Sequence, residues 1–133
     1  MAMTLTYDDT GPIKKIIATW TSSAAGAAAA TTKPISGFLI KGVTDPGATA
    51  PTTLYDIVIT DGEGVNVLSA CQSNLANRSA TATEEVYFLL KNADATPIGV
   101  AAHPVVADPL TITVSNAGDS KNGEIILYYH PER

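Results

Sequence analysis

Asp61, Glu63 and Asn66 bring oxygen-bearing side chains close together in the sequence, with Gly62 and Gly64 between them. Oxygen ligands interleaved with glycines that let the backbone wrap an ion are typical of calcium loops, because Ca²⁺ prefers carboxylate and carbonyl oxygens. The spacing lacks the bidentate glutamate that closes an EF-hand loop. Asp61-Gly62 is also a dipeptide that tight β-hairpin turns favour, so we predict a turn here and no metal site.

Adjacent carboxylates and two histidines are the other residues that could perform acid–base chemistry. Asp8-Asp9 and Glu84-Glu85 are neighbours in the sequence, and neighbouring residues on a strand point to opposite faces, so neither pair is suited to sharing one substrate. His103 and His130 each precede a proline, which favours extended backbone, and neither lies in a nucleophile motif. We therefore predict a protein that is not an enzyme and that carries no cofactor.

Charge and composition argue against several classes of partner. The 133-residue chain has a formal net charge of −5 and a pI near 4.7, whereas nucleic acid or an anionic membrane requires a concentrated positive surface. No apolar stretch is long enough to span a bilayer, and residues 1–8 lack the pattern of a signal peptide, so we expect a protein made and kept in a cytoplasm. Cys71 is the only cysteine, which excludes an internal disulfide and predicts a small buried hydrophobic residue.

The hydrophobic content of 45% overstates the size of the core, because many of these residues are alanines that bury little area. Aromatic residues make up only 6% of the chain, and Trp20 is the best candidate for a core anchor. A thin core gains stability when neighbouring copies bury additional surface. We therefore expect the protein to self-associate.

Most of the chain alternates apolar and polar residues with the period of two that half-buried strands require. The predicted strands are 13–21, 35–43, 54–60, 65–68, 84–91, 98–101, 110–114 and 124–129, with an extended alanine-rich stretch at 24–30. The last two strands flank a polar, glycine-bearing link and are predicted to pair as a hairpin. Short strands at this spacing predict an all-β fold, a β-sandwich or jelly roll of about seven to nine antiparallel strands with little helix.

Residues 1–12 are predicted to be an N-terminal arm or a short edge strand preceding a single β-sandwich domain at 13–133. Tyr7, Asp8 and Asp9 in this segment are candidates for contact with another subunit. Arg78 is a further candidate, because a lone arginine among small residues can bind backbone carbonyls or a carboxylate of an adjacent copy. The loops 44–53 and 69–83 are predicted to contribute to the same contacts, the second with a possible short helix.

Several segments, taken in order, carry a family resemblance. They are IIATWTS at 16–22, Gly37 after Ile35-Ser36, LYDIVITDGEGVNVL at 54–68, ANRS at 76–79, PLTITVSNAG at 109–118 and GEIILYY at 123–129. The chain resembles small virion structural proteins of tailed bacteriophages. The resemblance implies a β-sandwich or jelly-roll component made in the bacterial host cytoplasm and located in the virion. It also implies packing as a trimer or other symmetric homo-oligomer against the major capsid protein or other virion proteins, in the manner of capsid decoration or cement proteins.

Two other functions remain open at this point. The first is a tail, neck or head-to-tail adaptor component. The second is a carbohydrate-binding β-sandwich module, in which exposed Tyr55, Tyr87 or Tyr128 would stack on sugar rings. Ordinary cross-strand packing is the competing explanation for these tyrosines.

Overall fold

A computed structural model of the chain describes residues 2–91 and 103–131. These residues form nine β-strands in two antiparallel sheets and contain no helix. The strands are β1 (Ala2–Asp8), β2 (Lys14–Thr21), β3 (Ala28–Pro34), β4 (Gly37–Pro46), β5 (Asp56–Thr60), β6 (Glu84–Tyr87), β7 (Val105–Val106), β8 (Pro109–Ser115) and β9 (Asn122–Pro131). The predicted all-β sandwich is confirmed. Within the described ranges, no helix has the length and apolar character needed to cross a membrane.

The larger sheet has the order β1-β2-β9-β4-β6, and the short strand β7 also pairs with β4. Its central strand is β9, which pairs along the whole of β2 on one side and with β4 on the other. Ile40 is an extra residue between Leu39 and Lys41 of β4 and forms a β-bulge. Outside this bulge the register is continuous, so side chains of neighbouring strands line up across the sheet.

The smaller sheet has β8 between β3 and β5. The alanine-rich stretch contributes Ala28 and the alanines after it to β3, whereas Gly26 lies in a turn with a φ of +82°. A Cβ on Gly26 would lie 2.9 Å from the backbone nitrogen of Gly118. This close approach and the positive φ both require glycine, and the turn makes the extended segment begin at Ala28, later than the composition predicts.

The alternating apolar residues of both sheets fill one core. Its members include Ile16, Ala18 and Trp20 from β2, Ile125, Leu127 and Tyr129 from β9, and Leu110, Ile112 and Val114 from β8. Each large aliphatic side chain removed from water in this way contributes about 1.5–3 kcal/mol. Cys71 is buried in the same cluster, which confirms its prediction as a small hydrophobic residue.

The predicted hairpin at the end of the chain is wrong. β8 lies in the smaller sheet and β9 in the larger one, so the link between them crosses from one sheet to the other. Asn116, Gly118 and Ser120 in this link all have positive φ, of 59°, 86° and 56°. The link is fixed by Ser22, whose hydroxyl donates to the Gly118 carbonyl and accepts from the Lys121 amide.

The tight hairpin predicted at Asp61-Gly62 is also wrong. The positive φ belongs to Gly64 (+81°), and the Asp61 amide donates to the Val65 carbonyl across a wider loop. The return strand predicted at 65–68 is reduced to one isolated bridge between Thr60 and Asn66. Asp61 widens the loop because its Oδ1 accepts hydrogen bonds from the amides of Glu63 and Val65.

Residues 2–8 form an edge strand and not a free arm. β1 pairs with β2 from Ala2 to Asp8, and Met3, Leu5 and Tyr7 pack against the core. This segment therefore buries more surface within its own chain than a polar arm would.

Three predictions remain, for the stretch 69–83 and for the strands at 84–91 and 98–101. The stretch 69–83 forms no helix and is anchored by buried Leu75. The strand predicted at 84–91 is shorter, since β6 ends at Tyr87. The strand predicted at 98–101 lies outside the described residues.

Candidate interaction surface

The outer face of the larger sheet presents its side chains in four rows, because outward residues of neighbouring strands lie opposite one another. The rows are the acidic row (Glu124 and Asp45, beside Thr19), the apolar row (Ile17, Ile126 and Val43, with Glu85 at its end), the basic row (Lys15, Tyr128, Lys41 and Tyr87, with Asp8 beside Lys15) and the histidine row (His130, Phe38 and Val105). Buried residues alternate with these outward positions along β2, β9 and β4. One face thus carries negative charge, apolar side chains and positive charge in successive rows.

The basic row is held together by contacts between cations and aromatic rings. The Lys15 Nζ lies 5.4 Å from the centroid of the Tyr128 ring, and the Lys41 Nζ lies 4.6 Å from the same centroid. Lys41 also lies 5.4 Å from the ring of Tyr87 and pairs with the Glu85 carboxylate. The hydrogen bond to Glu85 raises the pKa of Lys41. Lys41 is therefore positively charged, and it lies within cation–π distance of both tyrosine rings.

Large apolar side chains are exposed at one end of this face. Val105 is 68% exposed, Tyr87 50% and Phe38 39%. Soluble proteins rarely expose such side chains together, and patches of this kind often mark interaction sites.

Two histidines line an apolar cavity of about 280 Å³ together with Phe38 and Ile40. The Nδ1 atom of His103 lies 2.8 Å from the Phe88 carbonyl oxygen, and the Nδ1 atom of His130 lies 2.8 Å from that of Pro131. A carbonyl oxygen only accepts, so Nδ1 carries the proton in both rings.

A second hollow, of about 300 Å³, lies at the opposite end of the face and is lined by Asp45, Pro46, Gly47 and Asn122 among others. Gly47 bounds it closely, since its amide donates to the Asn122 carbonyl and a Cβ there would collide with the Asn122 side chain. A larger residue at position 47 would therefore displace Asn122, which lines the same hollow.

Three carboxylates converge elsewhere on the molecule. Ligand oxygens of Asp61, Glu63 and Asp108 lie within 4.8 Å of one another. Such oxygens are the donors that a hard cation prefers, but the carboxylate of Asp108 accepts from the Gly62 amide and Asp61 shapes its own loop. Asn66, which the sequence grouped with them, binds the Leu68 amide instead. Sequence reasoning missed Asp108 because it reaches the cluster only through the folding of the chain.

Tyr7, Asp8 and Asp9 make their observed contacts within their own chain. The Lys33 amide donates to the Tyr7 hydroxyl at 2.9 Å, and the Lys33 ammonium pairs with Asp9 at 2.8 Å. These contacts join β1 to β3 at one side of the sandwich. The Thr10 hydroxyl donates to the Asp8 carboxylate and lowers the pKa of that carboxyl.

Arg78 likewise bonds inside its own chain. Its Nε and Nη2 atoms donate to the Ala76 carbonyl at 3.1 and 2.9 Å. Its Nη1 atom lies 3.3 Å from Glu84. Of the two predicted kinds of contact, carbonyl binding is the one present, and the carboxylate that it meets belongs to the same chain.

Trp20 lies in the core with 1% of its surface exposed, and its ring centroid is 5.6 Å from that of Tyr55. Tyr55 is fully buried, which removes it from the predicted set of sugar-stacking residues. Tyr87 and Tyr128 remain accessible on the outer face.

The four rows themselves were not found from sequence. The alternation of Lys15, Ile17 and Thr19 is visible in the chain, but only the pairing of β2 with β9 places those residues beside Glu124 and Tyr128. Comparison of the chain with protein-family models, curated proteins and solved structures finds no match. The surface is therefore interpreted from its geometry.

Proposed function

We propose that the protein is a nonenzymatic structural subunit of a tailed-bacteriophage virion, acting as a capsid decoration or cement protein. The observation that carries this proposal is the outer face of the larger sheet, which combines exposed apolar side chains with ordered rows of charge. Such a face suits a protein that works by fitting its exterior onto other proteins. The sequence resemblance supplies the virion as the setting.

The mechanism would be burial of surface between copies of the protein and against the major capsid protein. Specific interfaces typically remove about 1,200–2,000 Å² in total from water. A net charge of −5 suits the outside of a particle and disfavours contact with the packaged DNA. Under this proposal the protein is made in the host cytoplasm and is then incorporated into the virion.

Purified particles of the phage that encodes the chain provide the test. Quantitative mass spectrometry should find the protein in hundreds of copies, and electron cryomicroscopy should place it on the outside of the shell. A copy number of a dozen or fewer would favour the alternative of a tail, neck or head-to-tail adaptor component. Absence from mature particles would overturn the proposal.

Carbohydrate binding is a second candidate, supported by Tyr87 and Tyr128. They stand in one row on strands separated by β4, so their backbones are about 10 Å apart. Two rings at that spacing with Lys41 between them could stack on alternate sugars of an extended chain. A screen of oligosaccharides should then yield a ligand whose affinity falls in Tyr87→Ala and not in Thr19→Ala. Equal affinity in both variants would exclude this site.

A further inference from the structure

We propose that the outer face of the larger sheet binds the same face of a second copy of this chain, around a twofold axis. The axis would lie within the interface and run across the strands, along the apolar row. The proposed function has the protein packing against copies of itself, and this proposal specifies that contact. It rests on the proposed function only for the premise that the protein acts by assembly.

The order of the rows is what makes the face complementary to itself. A twofold axis along the apolar row places that row against its counterpart and exchanges the rows on either side of it. The acidic row of each copy then faces the basic row of the other. An axis parallel to the strands would instead set each charged row against itself, which like-charge repulsion disfavours.

The strand register gives the pairs that would face each other. On β4, Lys41 and Asp45 lie two residues on either side of Val43, so Lys41 of one copy faces Asp45 of the other. On β9, Tyr128 and Glu124 are related in the same way about Ile126. The ion pair and the phenol–carboxylate pair would each occur twice, as an isologous interface requires.

The same axis also brings a protruding side chain opposite a hollow at the ends of the face. Phe38 lies two positions beyond Lys41 in the register with β9, so the same axis brings it opposite Gly47 and Asn122. These residues line the second hollow, of about 300 Å³. The exposed Phe38 ring would thus meet a depression in the other copy, and the interface would bury a side chain that is now 39% exposed.

Glu85 is the residue that this arrangement places least favourably. It pairs with Val43 in the register, so it lies on the axis row and would approach its own counterpart. Its ion pair with Lys41 reduces the repulsion, and the same Lys41 ammonium would then lie between Glu85 of its own copy and Asp45 of the other.

The size of the face sets the expected strength of the pairing. Strand spacing and rise give an area about 20 Å across the strands and about 27 Å along them, so the two copies together bury on the order of 1,000–1,100 Å². This is at or below the lower limit of specific interfaces. We therefore expect a dimer that forms at micromolar to tens of micromolar concentration.

Charge reversal tests the proposal directly. The double variants Lys15→Glu/Lys41→Glu and Asp45→Lys/Glu124→Lys should each be monomeric by analytical ultracentrifugation at concentrations where the native protein is dimeric. An equimolar mixture of the two should dimerise again, because each row then meets its opposite in the other chain. The double variant Glu63→Lys/Asp119→Lys makes the same change in net charge as Asp45→Lys/Glu124→Lys, but away from the face, and should associate like the native protein.

Phe38→Ser provides an independent measurement with little risk to folding, and it should weaken dimerisation about tenfold. Thermal melts should show that each variant is folded. A native protein that stays monomeric at hundreds of micromolar, or a mixture that fails to dimerise, would overturn this pairing. The particle mass spectrometry described above would still decide the proposed function separately.

Discussion

Trp20 and Gly123 form a cross-strand pair in which the indole occupies the space that a side chain at position 123 would need. They lie opposite each other on β2 and β9, and a Cβ on Gly123 would be 2.7 Å from Cζ2 of Trp20. Only glycine leaves room for the indole at this position. The largest side chain of the core is therefore tied to a residue whose role is invisible in the hydrophobic pattern.

Trp20→Ala should lower the free energy of unfolding by about 3–5 kcal/mol, because it leaves a large cavity between the sheets. Urea unfolding of the purified variant would measure this. Tyr87→Ala, which removes a half-exposed ring, should cost less than about 1 kcal/mol. Similar losses in the two variants would contradict the assignment of Trp20 as the core anchor.

Tyr55 should make stability depend on alkaline pH. Burial raises the pKa of its phenol above the usual value near 10, so the unfolded chain loses this proton at a lower pH than the folded protein does. The contribution to stability is complete below about pH 10 and is lost as the pH rises through the pKa of the folded state.

Tyr55→Phe should therefore flatten the decline of unfolding free energy between about pH 9 and 11, as measured by urea unfolding. At neutral pH the substitution should cost less than about 1 kcal/mol, because no hydrogen bond of regular geometry reaches the hydroxyl within the described part of the chain, and Thr44 is the side chain that lies near enough to lower the pKa of the phenol. The same pH dependence in both proteins would show that Tyr55 is not the group responsible.

At the level of elements, β1 belongs to the larger sheet through both its backbone and its inward side chains. Deletion of residues 2–8 should lower the free energy of unfolding by about 3 kcal/mol or more, since it removes three apolar side chains from the core. It should also promote aggregation by uncovering the edge of β2. Chemical denaturation and light scattering would measure the two effects.

A matched pair of substitutions separates packing from strand pairing in β1. Leu5→Asn changes a residue that packs on the core, whereas Thr6→Asn changes its outward neighbour. Only the first should destabilise the protein by more than about 1 kcal/mol. Equal effects would mean that β1 is held by its backbone alone.

Alternation in the sequence predicted the strands well because it records which side chains are buried. It could not predict which strands pair. Leu110, Ile112 and Val114 alternate as expected, yet their strand pairs with β3 and β5 and not with the strand that follows it. The polar link at 116–121 would suit a hairpin, but its hydrogen bonds to Ser22 and Thr52 direct it over the end of the sandwich.

The candidate surface also depends on strand pairing, which the sequence does not reveal. Lys15, Tyr128 and Lys41 are separate in the sequence, and no local pattern joins them. The intersubunit contacts predicted for Tyr7 and Asp9 rested on their position near a polar segment, whereas the fold uses both residues to join its two sheets. The surface depends on long-range pairing and is visible only once the strand order is known.

For the molecule as a whole, self-association should depend on salt. The rows that face each other in the proposed dimer carry opposite charge, and added salt screens charges that remain near solvent. Raising NaCl from about 0.05 M to about 0.5 M, which shortens the screening length severalfold, should weaken dimerisation. Phe38→Ser should retain this dependence, as sedimentation at each salt concentration would show. Association that strengthens with salt would point to an apolar contact instead.

The position of β9 determines when the larger sheet can be completed during synthesis. This strand separates β2 from β4, yet it is made after both of them. During synthesis, one edge of β2 and one edge of β4 therefore have no pairing partner until β9 is available. Until residues 122–131 leave the ribosome, these edges are free to capture other nascent chains. Rapid translation of residues 122–131, or a chaperone that covers the free edges of β2 and β4, would therefore reduce aggregation when the protein is made in quantity.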